Sequence, residues 1–156
     1  MIDTRKTTPG LRILEKYAVR VGGGHNHRFN LADAVLLKDN HLAALRHRGL
    51  DLADAVRAIR QRIPHTMKIE VEITTLEQIV AALAGGADSI LLDNMSNDEM
   101  RVAVRRIAGR ALTECSGLVT LETVRERAET GVDLISSGAL THSAKALDLS
   151  LEVTIE

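Results

Sequence analysis

The sequence predicts a parallel α/β barrel, and three observations point to it. Short apolar runs alternate with amphipathic helical stretches from Gly10 onward. Two segments share one syntax: Gly86-Ala87-Asp88-Ser89-Ile90 and Gly131-Val132-Asp133-Leu134-Ile135 each pair a helix-ending glycine and a spacer with an aspartate and an apolar strand. Finally, successive strand ends run into polar residues. These are Lys38, then Glu72, then Asp93, then Glu114-Cys115-Ser116-Gly117, then Ser136-Ser137-Gly138. In a parallel barrel such ends converge on one face. A doubly wound sheet would gather its functional groups at one crevice instead, so the series favours the barrel.

Taken in order, the elements have these grounds. Pro9 suits the opening of a helix over 11–19, because its missing N–H falls where helices leave donors unpaired. The run Gly22-Gly23-Gly24 ends that helix. Residues 34–37, Ala-Val-Leu-Leu, fit a short strand buried on both faces. A helix over 53–62 is stopped by Pro64. There follow strand 67–73, helix 76–84, strand 89–92, helix 98–108, strand 111–115, helix 121–130 and strand 133–136, with an apolar stretch at 147–155. Met1-Ile2 reads as the end of a further barrel strand. No low-complexity segment or linker interrupts the series, so 1–156 reads as one domain.

Composition narrows the function. With 156 residues the chain can bury a core without disulfides, and at 1% aromatics that core is built from aliphatic side chains. Lys and Arg total 20 against 21 Asp and Glu. That balance provides no global field for nucleic acid or an anionic membrane, so affinity for anions must come from local clusters. The one cysteine, Cys115, cannot form an internal disulfide and fits a reducing compartment, with the cytoplasm as the expected location. No apolar run approaches the roughly 20 residues needed to span a bilayer.

Several segments carry chemistry. Asp3-Thr4-Arg5-Lys6-Thr7-Thr8-Pro9-Gly10 is dense in donors; Arg5 offers a planar fork for carboxylate or phosphate and Lys6 a point charge, although a solvated basic turn has the same composition. In Gly22-Gly23-Gly24-His25-Asn26-His27-Arg28, the glycines allow close backbone approach. His25 and His27 are weak support for zinc, and Arg28 beside them favours an anion. Lys38-Asp39-Asn40-His41 follows a strand, where Lys38 meets an anionic ligand or rests on the rim. Glu72 and Asp93, at neighbouring strand ends, can face ribose hydroxyls, Mg²⁺ or a developing positive charge, or else pair with Lys38 and Arg28. Ser116-Gly117-Leu118 and Ser137-Gly138-Ala139 are small-residue turns suited to phosphate.

Together these segments, with Leu91-Leu92-Asp93-Asn94-Met95 and Gly138-Ala139-Leu140-Thr141-His142-Ser143, closely resemble the quinolinate phosphoribosyltransferase family. The resemblance runs nearly end to end. It implies an incomplete, TIM-like α/β barrel that binds quinolinate and phosphoribosyl pyrophosphate with Mg²⁺. It also implies transfer of the ribose phosphate to the pyridine nitrogen with loss of CO₂, a step of NAD biosynthesis. By position, Thr4, Arg5, Lys6, His27, Arg28 and Lys38 would form the basic pocket. Glu72 and Asp93 would face the ribose and Mg²⁺. Ser116, Gly117 and Leu118 with Ser137, Gly138 and Ala139 would hold the 5′-phosphate, with His142 nearby. Lys6, Lys38, Glu72 and Asp93 are the residues nearest the chemistry, and Cys115 is expected to be a buried strand residue.

Two departures from the family pattern accompany the resemblance. Leu118 stands where family members often carry a glycine. The family also has an N-terminal domain ahead of the residue matching Asp3, and a partner subunit's arginine from that region completes the pocket; a homodimer is the family expectation. Two alternatives remain at this level. One is a molybdenum-transport-associated paralogue, against which the basic set argues. The other is an inactive fragment that only binds phosphorylated ligands.

Overall fold

In the computed structural model, which describes residues 1–155, five parallel strands form one sheet in sequence order, β1 (Val35–Leu37), β2 (Ile69–Ile73), β3 (Ser89–Asp93), β4 (Leu112–Ser116) and β5 (Leu134–Ile135). Helices α1 (Arg12–Val21), α2 (Asp39–His47), α3 (Leu52–Arg60), α4 (Gln78–Gly85), α5 (Asn97–Ile107), α6 (Val124–Ala128) and α7 (Ala139–His142) fill the connections. Two single-residue bridges extend the sheet past β5: Ile2 pairs with Ser136, and His25 pairs with Ile2, both in parallel. The wall therefore runs from β1 through β5 to Ile2 and His25. It returns towards β1 without a further bridge among the described residues; there the Arg28 guanidinium donates to the Ala34 carbonyl at 2.8 Å. This is the incomplete barrel that the sequence predicts.

The strands alternate by period two, as strands must. Leu37, Ile69, Val71, Ile73, Ile90, Leu92, Cys115 and Ile135 face the helices and form the core with Val56, Ile79, Ala82, Met100, Ala103 and Ile107. The other face turns inward, and it is polar. Residue registers place Glu70 beside Ser89, Glu72 beside Leu91, Leu91 beside Glu114, and Asp93 beside Ser116. All five residues of β2, Ile-Glu-Val-Glu-Ile, are buried. A strand buried on both faces is what a parallel sheet requires, but here one buried face is made of carboxylates.

The repeated glycine–aspartate syntax has one structural meaning in both places. Gly86 and Gly131 adopt φ of 85° and 89°, the left-handed conformation that ends α4 and reverses the chain after α6. Asp88 then accepts the Ile69 N–H at 2.8 Å, and Asp133 accepts the Thr113 N–H at 2.8 Å. Each aspartate thus clasps the start of the preceding strand. Asp88 also binds Arg60 and Lys68, which adds charge to the clasp.

Side-chain capping fixes the starts of two helices that the sequence expects. Ser96 and Glu99 form a capping box at α5, and the Asp51 carboxylate caps α3 by accepting the Asp54 N–H. Two helices lie outside the sequence expectation. Helix α2 starts directly on the Lys38 motif, where the Lys38 N–H donates to His41 Nδ1 at 3.1 Å. Helix α7 occupies the Gly138–Ser143 motif. The expected helix over 121–130 is shorter, confined to α6, because Thr120 and Thr123 form a local turn first. Residues 147–155 form no regular element, and their alternating apolar side chains are exposed. No helix among the described residues is long and apolar enough to cross a membrane.

The start of the chain is tied in by a buried ion pair. Asp3 is wholly buried and accepts from Lys16 Nζ at 2.6 Å, from Asn26 Nδ2 at 2.6 Å and from the His27 N–H at 2.8 Å. Lys16 in turn donates to the His27 carbonyl at 3.0 Å. Three segments remote in sequence meet at one carboxylate. Replacing Asp3 with Ala strands Lys16 as a buried charge, and denaturant unfolding is expected to show a loss of about 3–5 kcal/mol.

Candidate active site at the strand C-terminal ends

A cavity of about 580 Å³ opens at the C-terminal ends of the strands. Its wall contains Thr4, Arg5, Lys6, His27, Arg28, Lys38, Glu72, Asp93, Ser116, Gly117 and Leu118, all expected from the sequence. The fold brings them together from six places. Thr4 to Lys6 follow the Ile2 bridge, His27 and Arg28 follow the His25 bridge, and the rest leave β1, β2, β3 and β4 in turn.

Four cations face this space with little to neutralise them. Lys38 Nζ pairs with Glu72 at 3.1 Å. Arg5, Lys6 and Arg28 form no ion pair among the described residues. Arg5 Nε is buried without a hydrogen-bond partner. Burial, and after it the like charge of Arg5, lowers Arg28 from the ordinary arginine value. Two guanidiniums held close enough to repel, with a buried N–H left unpaired, are arranged for an anion that neither the fold nor a neighbouring carboxylate supplies. The Arg5 segment is rigid: its carbonyl accepts from Thr7 N–H and Arg12, and the Lys6 N–H donates to Thr4 Oγ1 at 3.0 Å.

His27 is placed differently from its expected role in a row of cations. Its Nδ1 accepts the Arg28 N–H at 2.8 Å, so the ring proton sits on Nε2, which lies 2.9 Å from Glu70. The ring is turned to the cavity floor. There Glu70 also accepts from Ser89 Oγ at 3.2 Å, and Glu114 lies 3.9 Å from the ring. Burial pushes Glu70 up, but hydrogen bonds from His27 and Ser89 outweigh it, leaving Glu70 below its ordinary value. Burial, and then the charge of Glu70, pushes Glu114 up to about 8. Sequence reading gave Glu70 no role and placed Glu114 only among the polar strand ends, with no part in the site. The available signal was spacing, since Glu70 precedes Glu72 by two and must share its face.

The acidic rim is as expected in place, and Asp93 accepts from Asn94 Nδ2 at 2.9 Å. Glu72 and Asp93 fit the way Mg²⁺ is usually held, by one or two carboxylates plus substrate phosphates. They belong to no three-ligand cluster among the described residues; the cluster with that geometry is His27, Glu70 and Glu114, whose ligand atoms lie within 4.8 Å of one another. Cys115 faces the helices, as expected, and burial pushes its thiol up.

The two small-residue turns differ. Ser116, Gly117 and Leu118 line the cavity, but Ser137, Gly138, Ala139 and His142 do not. Ser137 is buried and bonds to Ile2 and Val119. Gly138 lies under the His142 ring and against Lys6, and Thr141 Oγ1 donates to the Lys6 carbonyl at 2.6 Å. This turn therefore backs the Lys6 segment, a contact that separation in sequence concealed. Leu118, where family members often have glycine, adopts φ of 42° with its side chain 88% exposed, so the loop retains the conformation a glycine would favour.

An α/β barrel with a cationic cavity at the strand C-terminal ends, carboxylates on one rim and a small-residue loop beside Asp93, defines the class: an α/β barrel whose candidate site lies at the strand C-terminal ends. The model of the family described as quinolinate phosphoribosyl transferase, C-terminal domain, matches residues 1–152, and the chain belongs to that family. It is 50% identical over 153 residues to the probable nicotinate-nucleotide pyrophosphorylase (carboxylating) of Bacillus subtilis, covering 98% of this chain and 52% of that protein. It is also 50% identical over 154 residues to the Mycobacterium leprae nicotinate-nucleotide pyrophosphorylase (carboxylating), covering 97% and 52%. The crystal structure of NadC from Streptococcus pyogenes superposes with a TM-score of 0.89 at 49% identity, over 97% of this chain and 52% of that one. The chain thus spans about half the length of the relatives it matches. A thiamine phosphate pyrophosphorylase from Pyrococcus furiosus, at 16% identity and a TM-score of 0.55, shares the fold alone.

Gly117 tests the loop. Its φ is 95°, and an added Cβ would overlap the Asn94 amide. Gly117→Ala is expected to displace Asn94 from Asp93 and to destabilise by about 1–2 kcal/mol, read by thermal or denaturant unfolding.

Proposed function

We propose that this chain forms the catalytic barrel of a quinolinate phosphoribosyltransferase, which joins quinolinate to phosphoribosyl pyrophosphate and yields nicotinate mononucleotide, pyrophosphate and CO₂. The observation that carries the reading is the set Arg5, Lys6, Arg28 and Lys38 around one cavity, with Arg5 Nε buried and unpartnered. A dianionic pyridine dicarboxylate suits two guanidiniums that otherwise repel each other.

Each group then has a task. The cations fix the dicarboxylate so that the pyridine nitrogen faces the ribose C1′, which turns a bimolecular encounter into a positioned attack. As the bond to pyrophosphate breaks, positive charge grows on the ribose ring, and Glu72 and Asp93 lie on that rim to stabilise it. Lys38, half-exposed and paired with Glu72, can exchange that partner for the leaving phosphate oxygens. The Ser116–Leu118 loop provides backbone N–H groups for the 5′-phosphate, and the turn at 137–139 supports the Lys6 segment from behind. Mg²⁺, held by Glu72 and Asp93, would neutralise charge on the diphosphate. After transfer, the cationic pocket stabilises the electron pair left at C2 of the pyridinium ring when the 2-carboxylate departs as CO₂, and a proton from solvent takes that pair to give the C2–H of nicotinate mononucleotide. No step calls on Cys115.

Calorimetry of the 156-residue chain with quinolinate tests the binding half, with Arg5→Ala expected to weaken it at least tenfold because a charge-assisted pair contributes about 1.5–3 kcal/mol. Turnover is tested by exchanging residues 1–152 into the matching span of the Bacillus subtilis relative and assaying for nicotinate mononucleotide. Retained turnover is expected; a folded chimera that makes none overturns the proposal.

A further inference from the structure

The cavity floor carries one more buried carboxyl group than its donors can serve as an anion. Glu70 on β2 and Glu114 on β4 flank Ser89 and Leu91 of β3, and both are buried. His27 has a single ring proton to give, because its Nδ1 already accepts the Arg28 N–H, and Glu70 takes that proton at 2.9 Å. Ser89 also gives its hydroxyl proton to Glu70. The His27 ring is 3.9 Å from Glu114, beyond hydrogen-bond reach. Ser136 is the remaining donor beside Glu114, and its one hydroxyl proton is shared between Glu114 and the Cys115 carbonyl at 3.3 Å. An ionised carboxylate in that position would be desolvated, beside a like charge and poorly bonded. As an acid it has a proton to donate, and Glu70 is the acceptor in reach.

We propose that Glu114 is a neutral, proton-bearing floor residue of the anion cavity: it donates to the Glu70 carboxylate and keeps a second negative charge from facing the bound dicarboxylate. This rests on the quinolinate reading of the cavity. Glu114 is a specificity-determining residue, since it lines the cavity and its charge state sets which ligand charge the cavity accepts. The Glu70 anion, bonded to His27, holds that ring and, through Nδ1, the Arg28 N–H. One proton therefore links the floor to the loop that bears Arg28.

A pH dependence follows. The ionisable groups on the surrounding elements are Glu70 and Glu72 on β2, Asp93 on β3, Lys38 after β1, His27 and Arg28 on the returning loop, and Arg5 and Lys6 on the opening segment. Glu114 is raised, to about 8, by burial and then by Glu70. Below that pH the floor is neutral at Glu114. Above it, a new buried anion opposes an anionic ligand.

Two measurements test this on the 156-residue chain. Carbon-13 carboxyl NMR of glutamate-labelled protein, titrated without ligand, is expected to show one glutamate with a midpoint of about 8. That resonance is absent in Glu114→Gln, and its midpoint falls in Glu70→Gln, where the like charge is gone. Calorimetry with quinolinate at pH 6.5 and 9.5 is expected to show binding weakened by up to about 30-fold at the higher pH in the wild type. Glu114→Gln, neutral at both, is expected to change by less than about twofold. The proposal is overturned if every glutamate titrates in the ordinary carboxylate range, or if E114Q keeps the alkaline loss. Should E114Q fail to fold, the downward shift in E70Q decides the same point. Absence of quinolinate binding at pH 6.5 overturns the dicarboxylate role, and the carboxyl titration then settles the Glu114 proton separately.

Discussion

One buried carboxylate holds this half-closed barrel in its working shape. Asp3 has no access to water, and it receives Lys16 Nζ, the Asn26 amide and the His27 N–H on its two oxygens. A lone buried charge of this kind would destabilise the fold; paired and fully bonded, it specifies which segments may meet. The segment after Ile2, helix α1 and the glycine-rich return are held in register with one another by it. Without that register, Arg5 and Arg28 would have no common space to face.

The inner wall follows from the same economy of position. A parallel sheet covered by helices needs apolar residues on its outer face, and β2 to β5 supply them at every second residue. The intervening residues must then point inward. In this chain they include Glu70, Glu72, Ser89, Asp93, Glu114 and Ser116 beside Leu91, Leu112 and Leu134, so the strands that build the core also build the acidic side of the cavity. Because the barrel is incomplete, the remaining wall comes from loops rather than strands, and those loops are basic. The cavity is therefore divided by architecture into an acidic strand side and a cationic loop side. That division suits a reaction in which an anionic acceptor meets a sugar that turns cationic as its bond breaks.

Within that division the two sides are coupled through His27. Its ring connects the Arg28 N–H above to the Glu70 carboxylate below, so it acts as a strut between loop and floor. The turn at 137–142 has a comparable supporting place, since Gly138 lets the His142 ring and Lys6 approach closely. In the first case a residue that reads as a ligand group in the sequence holds another one in position, and in the second Thr141 holds the Lys6 carbonyl.

The sequence alone determined the order of the strands along the chain, the repeated glycine–aspartate syntax and the convergence of Lys38, Glu72, Asp93 and Ser116 on one face. These depend on local periodicity and on short spacings, which the chain carries in plain view. It also showed Met1-Ile2 as a strand end and Cys115 as a core residue. Only the tertiary structure decided that His27 turns to the floor, that Glu70 and Glu114 share it, and that the turn at 137–142 supports Lys6 instead of lining the cavity. Those outcomes depend on pairs some 40 to 135 residues apart in the chain. Their partners are selected by which face each strand presents and by which donors remain unspent after the backbone is satisfied. Helix α2 was hidden for a smaller reason: its start coincides with the Lys38 motif, and its N-cap residue is Lys38 rather than one of the usual short polar residues.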